Sequence, residues 1–125
     1  MKQFMAILAI SILFLGCETF SGLLSSIDQG KTGKTGHDGS DKSTPFTRIE
    51  RYGGGYNRAG ENLAYGSNTG RDIIVDLLID DGVPSRGHRT NIMERRFSQT
   101  GVSFGTHPQY RTMCAITYAN GYVSR

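Results

Sequence analysis

Cysteine is scarce in this chain of 125 residues: Cys17 and Cys114 are the only two, and their contexts differ so much that each needs its own explanation. An excess of charge is also missing. The formal net charge is +3, falling to +2 once a leader carrying Lys2 is removed, and the basic residues are scattered among acids. That balance is too weak to argue for a nucleic-acid partner. The longest apolar run, Phe4 to Leu15, is too short to span a bilayer comfortably. The Gly-x-Ser-x-Gly text at Gly101 to Gly105 falls within an expected strand and not at a strand-to-helix elbow that would present a serine nucleophile, and the length leaves no room for a second domain. What remains is 37% apolar residues and 17 glycines, the composition of a loop-rich globular domain with a thin core.

The N-terminus reads as an export signal over residues 1–16. Met1-Lys2-Gln3 supplies the charged start, and Phe4 to Leu15 the short apolar segment. The segment ends Phe14-Leu15-Gly16-Cys17, which resembles a bacterial lipobox with loose matches at its two outer positions. On this reading Cys17 becomes the lipidated first residue of a membrane-anchored protein; an ordinary cleaved signal, or an uncleaved anchor, is the alternative. A lipidated Cys17 would leave Cys114 as the only mature thiol and exclude a structural disulfide. Residues 17–36 are expected to be a tether, and the Gly, Lys, Thr, Ser and Asp text continues as surface loop to Thr44.

Beyond it, Thr44 is placed to cap a helix that has Pro45 at its first position and Phe46, Ile49 and Tyr52 on one buried face. Gly60 to Gly66 predicts a turn and brief extended segment presenting Glu61. The clearest helix begins at Thr69, with Asp72 completing a capping box, and Gly82 is placed to end it. Its core face is Ile73, Ile74, Leu77 and Leu78, widened by Val75 and Ile79, while Asp72, Asp76 and Asp80 recur every fourth residue on the other side. After Val83-Pro84, Ser85 is expected to cap a short helix carrying His88. A hairpin follows, Thr100 to Phe104 and Arg111 to Ala119, with His107 exposed in its loop. Met113, Ala115 and Thr117 alternate with Cys114, Ile116 and Tyr118. Both faces are therefore apolar, and the expected fold class is α/β with a sheet covered on both sides, an α/β/α layering.

Four pieces of text stand in order: His37 within Gly-His-Asp-Gly-Ser-Asp, Gly-Glu-Asn-Leu-Ala at 60 to 64, Gly-His-Arg-Thr-Asn-Ile at 87 to 92, and Gly-Val-Ser-Phe-Gly at 101 to 105. Together they resemble the SCP domain of the CAP superfamily, the cysteine-rich secretory, antigen and pathogenesis-related proteins, in its bacterial form. The resemblance implies a three-layer α/β/α sandwich over residues 37–123. It also implies a cleft lined by two His and two acids, matched here by His37, Glu61 and His88. Where many members carry a second Glu, this chain has Asp80, with Asp81 beside it and one methylene less of reach. The opening helices of such domains are missing or reduced: between Cys17 and His37 only Phe20, Leu23, Leu24 and Ile27 offer an amphipathic turn or two. An exposed apolar patch is expected from that shortening.

Two imidazoles beside two carboxylates could bind a divalent metal such as zinc, with His37 and His88 as ligands, or relay protons. No nucleophile stands beside them, since Cys114 lies mid-strand. The expectation is therefore an exported binding or interaction module for a lipid or protein ligand, without turnover. A metal-dependent hydrolase using the same cleft, and a truncated remnant without function, are the alternatives.

Overall fold

The structure, a computed structural model, describes residues 30–125. The predicted signal, Cys17, and Phe20 to Ile27 lie outside the described residues. Eight elements follow: α1 (Pro45–Glu50), β1 (Gly53–Gly54), β2 (Arg58–Tyr65), α2 (Gly70–Ile79), α3 (Gly87–Met93), β3 (Gln99–His107), β4 (Arg111–Asn120) and β5 (Val123–Ser124). Strands β2, β4 and β3 form an antiparallel sheet in that spatial order, and β1 pairs with β5 in a small separate ribbon. Pairing sets Glu61 opposite Thr117, Asn62 opposite Ile116, and Phe104 opposite Cys114. No helix among the described residues is long and apolar enough to cross a membrane.

Side chains alternate between the faces of a strand, so β4 feeds two cores. On one face Cys114, Ile116 and Tyr118 pack with Ile73 and Leu77 of α2, and Phe97 stacks on Tyr118. On the other, Met113 and Ala115 pack with Leu63. The alternation expected for β4 holds, and with it the mixed α/β architecture.

Several local expectations are corrected. Residues 58–65 form a full strand and not a turn with a brief extension. Helix α2 is capped by Thr69 as expected, but it ends at Asp80, which adopts left-handed φ 53, before Gly82 is reached. Its core face is narrower than the apolar count suggests, because Val75 and Ile79 are exposed. The same left-handed turn carries Asp80 out of the four-residue progression of Asp72 and Asp76, and it is buried. Arg86, and not Ser85, precedes α3, without a side-chain cap. In α1 the predicted cap is present, Thr44 accepting from the Thr47 N–H, yet Phe46 is exposed and the buried side chain is Arg48.

His107 is only 1% exposed, the reverse of the expectation. Its Nε2 donates to the Lys34 carbonyl, while Nδ1 accepts from the N–H groups of Gln109 and Tyr110, which sets the tautomer. The imidazole thus closes the β3–β4 turn and pins the preceding loop to it. Gly30 is buried at the same place: a Cβ there would lie 2.6 Å from Met113 Sδ. The Tyr65 hydroxyl accepts from the Gly36 N–H. Residues 30–31 are helical, and the loop that follows them to residue 36 is held against the domain.

Candidate functional site

Strand β2 organises the site because it places two polar side chains, Glu61 and Asn62, on opposite faces, both buried. Gly60 beside them has a steric reason: a Cβ would meet Asn91 Oδ1 at 3.2 Å and Phe97 Cζ at 3.3 Å.

On the first face, Glu61 Oε1 bonds His37 Nδ1 at 3.0 Å, and Glu61 Oε2 accepts from Arg48 Nη2 at 2.9 Å. The Arg48–Glu61 pair is buried on both sides, each side chain 2% exposed, whereas the His37 side chain is 52% exposed. Arg48 also donates to the carbonyls of Ser43 and His37, so one guanidinium ties the His37 loop, α1 and β2 together. Buried charges persist only when paired and hydrogen-bonded, and this pair meets both conditions.

Asn62 works on the second face. Its amide donates to the His88 carbonyl and to the Tyr118 hydroxyl, and its oxygen accepts from Asn91 Nδ2 at 2.8 Å. The start of α3 is thereby tied to the sheet. The His88 ring meets Asp80: Nδ1 to Oδ1 is 2.7 Å, while Asp80 Oδ2 accepts from the backbone N–H groups of His88 and Arg89. Asp80 thus supplies the cap that α3 lacks at Arg86, satisfying orphan donors of its first turn. The carbonyls left at the end of α2 are met by guanidinia: Arg86 donates to Ile79 and Asp80, and Arg89 to Leu78 and Ile79.

Two histidine–carboxylate pairs result. His37 is joined to Glu61, and His88 to Asp80; among the described residues no hydrogen bond or ion pair runs from one pair to the other, and the link between them is the Asn62–Asn91 amide network. In each pair the carboxylate is buried and holds Nδ1, leaving Nε2 without a partner among the described residues. The hydrogen bond from Glu61 raises the His37 pKa above its ordinary value, outweighing burial and the Arg48 charge, which lower it. Burial raises the Asp80 pKa, but hydrogen bonds from the His88 ring and from the Arg89 and His88 N–H groups bring it below the usual carboxylate range.

The chemistry open to this arrangement is limited. Among the described residues no group of three or more His, Cys, Asp or Glu side chains is arranged to hold a metal ion. Both oxygens of Glu61 and both of Asp80 are already occupied by protein donors. Among the described residues, what the two pairs leave open to a ligand is the Nε2 of each imidazole and not a carboxylate oxygen. Neither imidazole has a hydroxyl or thiol partner among the described residues, and burial pushes the Cys114 thiol up to about 11, far from a reactive thiolate.

The His37 shift has a testable consequence. A folded-state pKa above the unfolded value near 6.5 means that protonated His37 stabilises the fold fully below about pH 6.5, and that this contribution is lost as pH rises through the folded pKa. The melting-temperature difference between the native chain and His37→Gln is expected to be larger at about pH 5.5 than at about pH 9. A difference independent of pH would show that the Glu61 bond does not favour the charged ring.

Arg48 belongs to the site although it lies in none of the four pieces of text, and Asn62 belongs to it although the Gly-Glu-Asn text assigns it no role. The signal for Arg48 is a cation on a helix too short and too sparsely apolar to be held by burial alone. For Asn62 it is an amide beside the motif glutamate, in a strand that must bury alternate positions.

Residues 25–120 match the model of the family described as CAP, the cysteine-rich secretory protein family. A Bacillus subtilis (strain 168) protein named "Uncharacterized protein YkwD" is 33% identical over 61 residues, which is 49% of this chain and 22% of that protein. The match thus spans about a fifth of that relative's length. Among solved structures, an outer surface protein from Borrelia burgdorferi superposes with a TM-score of 0.63 at 19% identity, covering 80% of this chain and 70% of that one. At that identity the likeness is one of fold.

Proposed function

The chain belongs to the cysteine-rich secretory protein family, CAP, and on that premise we propose that it is an exported interaction module, anchored at the cell envelope through Cys17, that recognises a lipid or protein ligand with His37 and His88 and does not turn it over. One observation carries the reading. Both imidazoles reach solvent while each carboxylate behind them is buried and saturated by protein donors, an arrangement that orients each ring toward a ligand, and no hydroxyl or thiol among the described residues bonds either ring to serve as a nucleophile. Export is supported by the charged start and apolar run of residues 1–16 and by the printed name of the structural relative, an outer surface protein. Anchoring is supported by the Phe14-Leu15-Gly16-Cys17 text.

The absence of turnover is tested with the purified full chain on ester, phosphoester and peptide substrates, with and without added zinc. Rates are expected to equal those of the His37→Ala/His88→Ala double variant; turnover that this variant loses would overturn the reading. For the anchor, Cys17→Ala is expected to abolish labelled-palmitate incorporation and release the protein from the membrane fraction. Continued labelling and membrane association would sink that part of it.

A further inference from the structure

Strand β3 is an edge of the sheet among the described residues, and it carries none of the usual protections of an edge. From Gln99 to His107 there is no Lys, Arg, Asp, Glu or Pro. Val102 and Phe104 are each 54% exposed, two apolar side chains on the same face of an open strand.

The hydrogen-bond phase shows which residues are available. The Gly66 N–H reaches the Thr112 carbonyl, which makes Tyr65–Met113 a widely spaced pair on the β2 side. Met113 therefore turns its own N–H and C=O toward β3, where it opposes Gly105. Counting by twos, Gly101, Ser103, Gly105 and His107 direct their backbone groups inward to β4. Thr100, Val102, Phe104 and Thr106 direct theirs outward to the free edge.

The strand text is symmetrical about its own midpoint. Thr100-Gly101-Val102-Ser103-Phe104-Gly105-Thr106 reads alike in residue character from either end, with Ser103 at the centre of the nine-residue strand. We propose that β3 is a self-association edge: two copies pair antiparallel across a two-fold axis at Ser103 to make one continuous six-stranded sheet. In this register the outward residues meet as hydrogen-bonded pairs, Thr100 with Thr106 and Val102 with Phe104, each twice. Gly101 meets Gly105, and Ser103 meets Ser103 in a non-hydrogen-bonded pair. Every outward N–H and C=O of these seven residues finds a partner, the aromatic ring packs on a β-branched side chain, and no charged side chain within the strand meets its like.

The contact is small. A nine-residue strand is about 30 Å long, and covering its edge with two apolar side chains per copy falls short of the ~1,200 Å² typical of a stable dimer. The dimer is therefore concentration-driven in solution and favoured where the chain is confined to a surface.

The test uses the full chain with Cys17→Ala. In sedimentation equilibrium the mass is expected to approach twice the monomer value at concentrations on the order of 1 mM. Phe104→Lys is expected to stay monomeric throughout with an unchanged melting temperature, while Val123→Lys, at another exposed apolar position, associates as the parent does. Under mild oxidation Ser103→Cys is expected to cross-link to itself, because opposed residues of a non-hydrogen-bonded pair lie within disulfide reach. Thr106→Cys is expected not to, since its counterpart lies about six residues away along the edge. A parent that stays monomeric and a Ser103→Cys chain that fails to cross-link would overturn the proposal, as would equal cross-linking at both positions.

Discussion

Arg48→Ala is expected to cost about 3–5 kcal/mol of stability, the penalty for leaving a buried carboxylate without its counter-ion. Four acceptors take hydrogen bonds from this one side chain: Glu61 Oε2, the Ser43 carbonyl and hydroxyl, and the His37 carbonyl. Removing it takes the buried guanidinium from Oε2 of a carboxylate that is 2% exposed and leaves the half-exposed His37 ring on Oε1. For a domain of this size each kcal/mol corresponds to roughly 4–8 °C, so the melting temperature should fall by at least about 10 °C, and the folded fraction at physiological temperature should collapse. Arg48→Met with Glu61→Leu separates charge from packing. The double variant removes both ions together and is expected to recover part of the loss, because two apolar groups replace a pair whose desolvation was costly. Recovery should be incomplete, since the His37 carbonyl loses its guanidinium donor, while the Ser43 carbonyl keeps only the Gly39 N–H. A single variant that melts within a degree or two of the native chain would show that the pair contributes nothing to the fold. In that case the anchoring of the His37 loop would have to come from elsewhere.

What makes Arg48 and Asn62 hard to see in the sequence is a single physical reason. Periodicity reports where apolar side chains go, and the interior near β2 is polar. The text Arg-Ala-Gly-Glu-Asn-Leu-Ala-Tyr does not alternate in hydropathy, because its inward positions include Glu61 and Asn62, each buried through its partners. A strand of that kind looks like a turn. Helix α1 misleads in the same way: its cap is legible in Thr44-Pro45, but its buried member is an arginine and not the Phe46 face. The chain's strongest periodic signals serve much better. Helix α2 begins where Thr69 caps it, and β4 divides into Met113–Ala115 and Cys114–Ile116–Tyr118 as its alternation requires. Asp80 is intermediate. Its spacing from Asp72 and Asp76 places it on a solvated stripe, and only a left-handed residue, which spacing cannot report, turns it inward to His88.

Asn62→Leu is the second large effect, and it bears on His88. Asn62 is wholly buried and uses both ends of its amide: two donor bonds, to the His88 carbonyl and the Tyr118 hydroxyl, and one acceptor bond from Asn91. Leucine fills a similar volume and offers none of these. Each buried polar group left without a partner costs about 1–3 kcal/mol, so a loss of at least about 3 kcal/mol is expected in denaturant or thermal unfolding. Asn62→Asp distinguishes shape from hydrogen bonding. An ionised carboxylate can still accept from Asn91, but it turns an oxygen toward the His88 carbonyl where a donor is needed. The protonated acid can donate there, so burial should raise the folded-state pKa of the introduced carboxyl above its unfolded value near 3.9. The sign follows: this variant should be closest to the native chain below about pH 4 and lose ground as pH rises through that window. The His88 ring supplies a readout independent of global stability. Its ring resonances, followed by NMR at fixed pH, should move in both Asn62 variants while those of His37, held by Glu61 on the opposite face, stay as they are. Unchanged His88 resonances together with an unchanged melting temperature would mean that α3 is positioned by Asp80 alone. Asn62 would then be a passive occupant of the motif rather than the tie between the sheet and the second histidine.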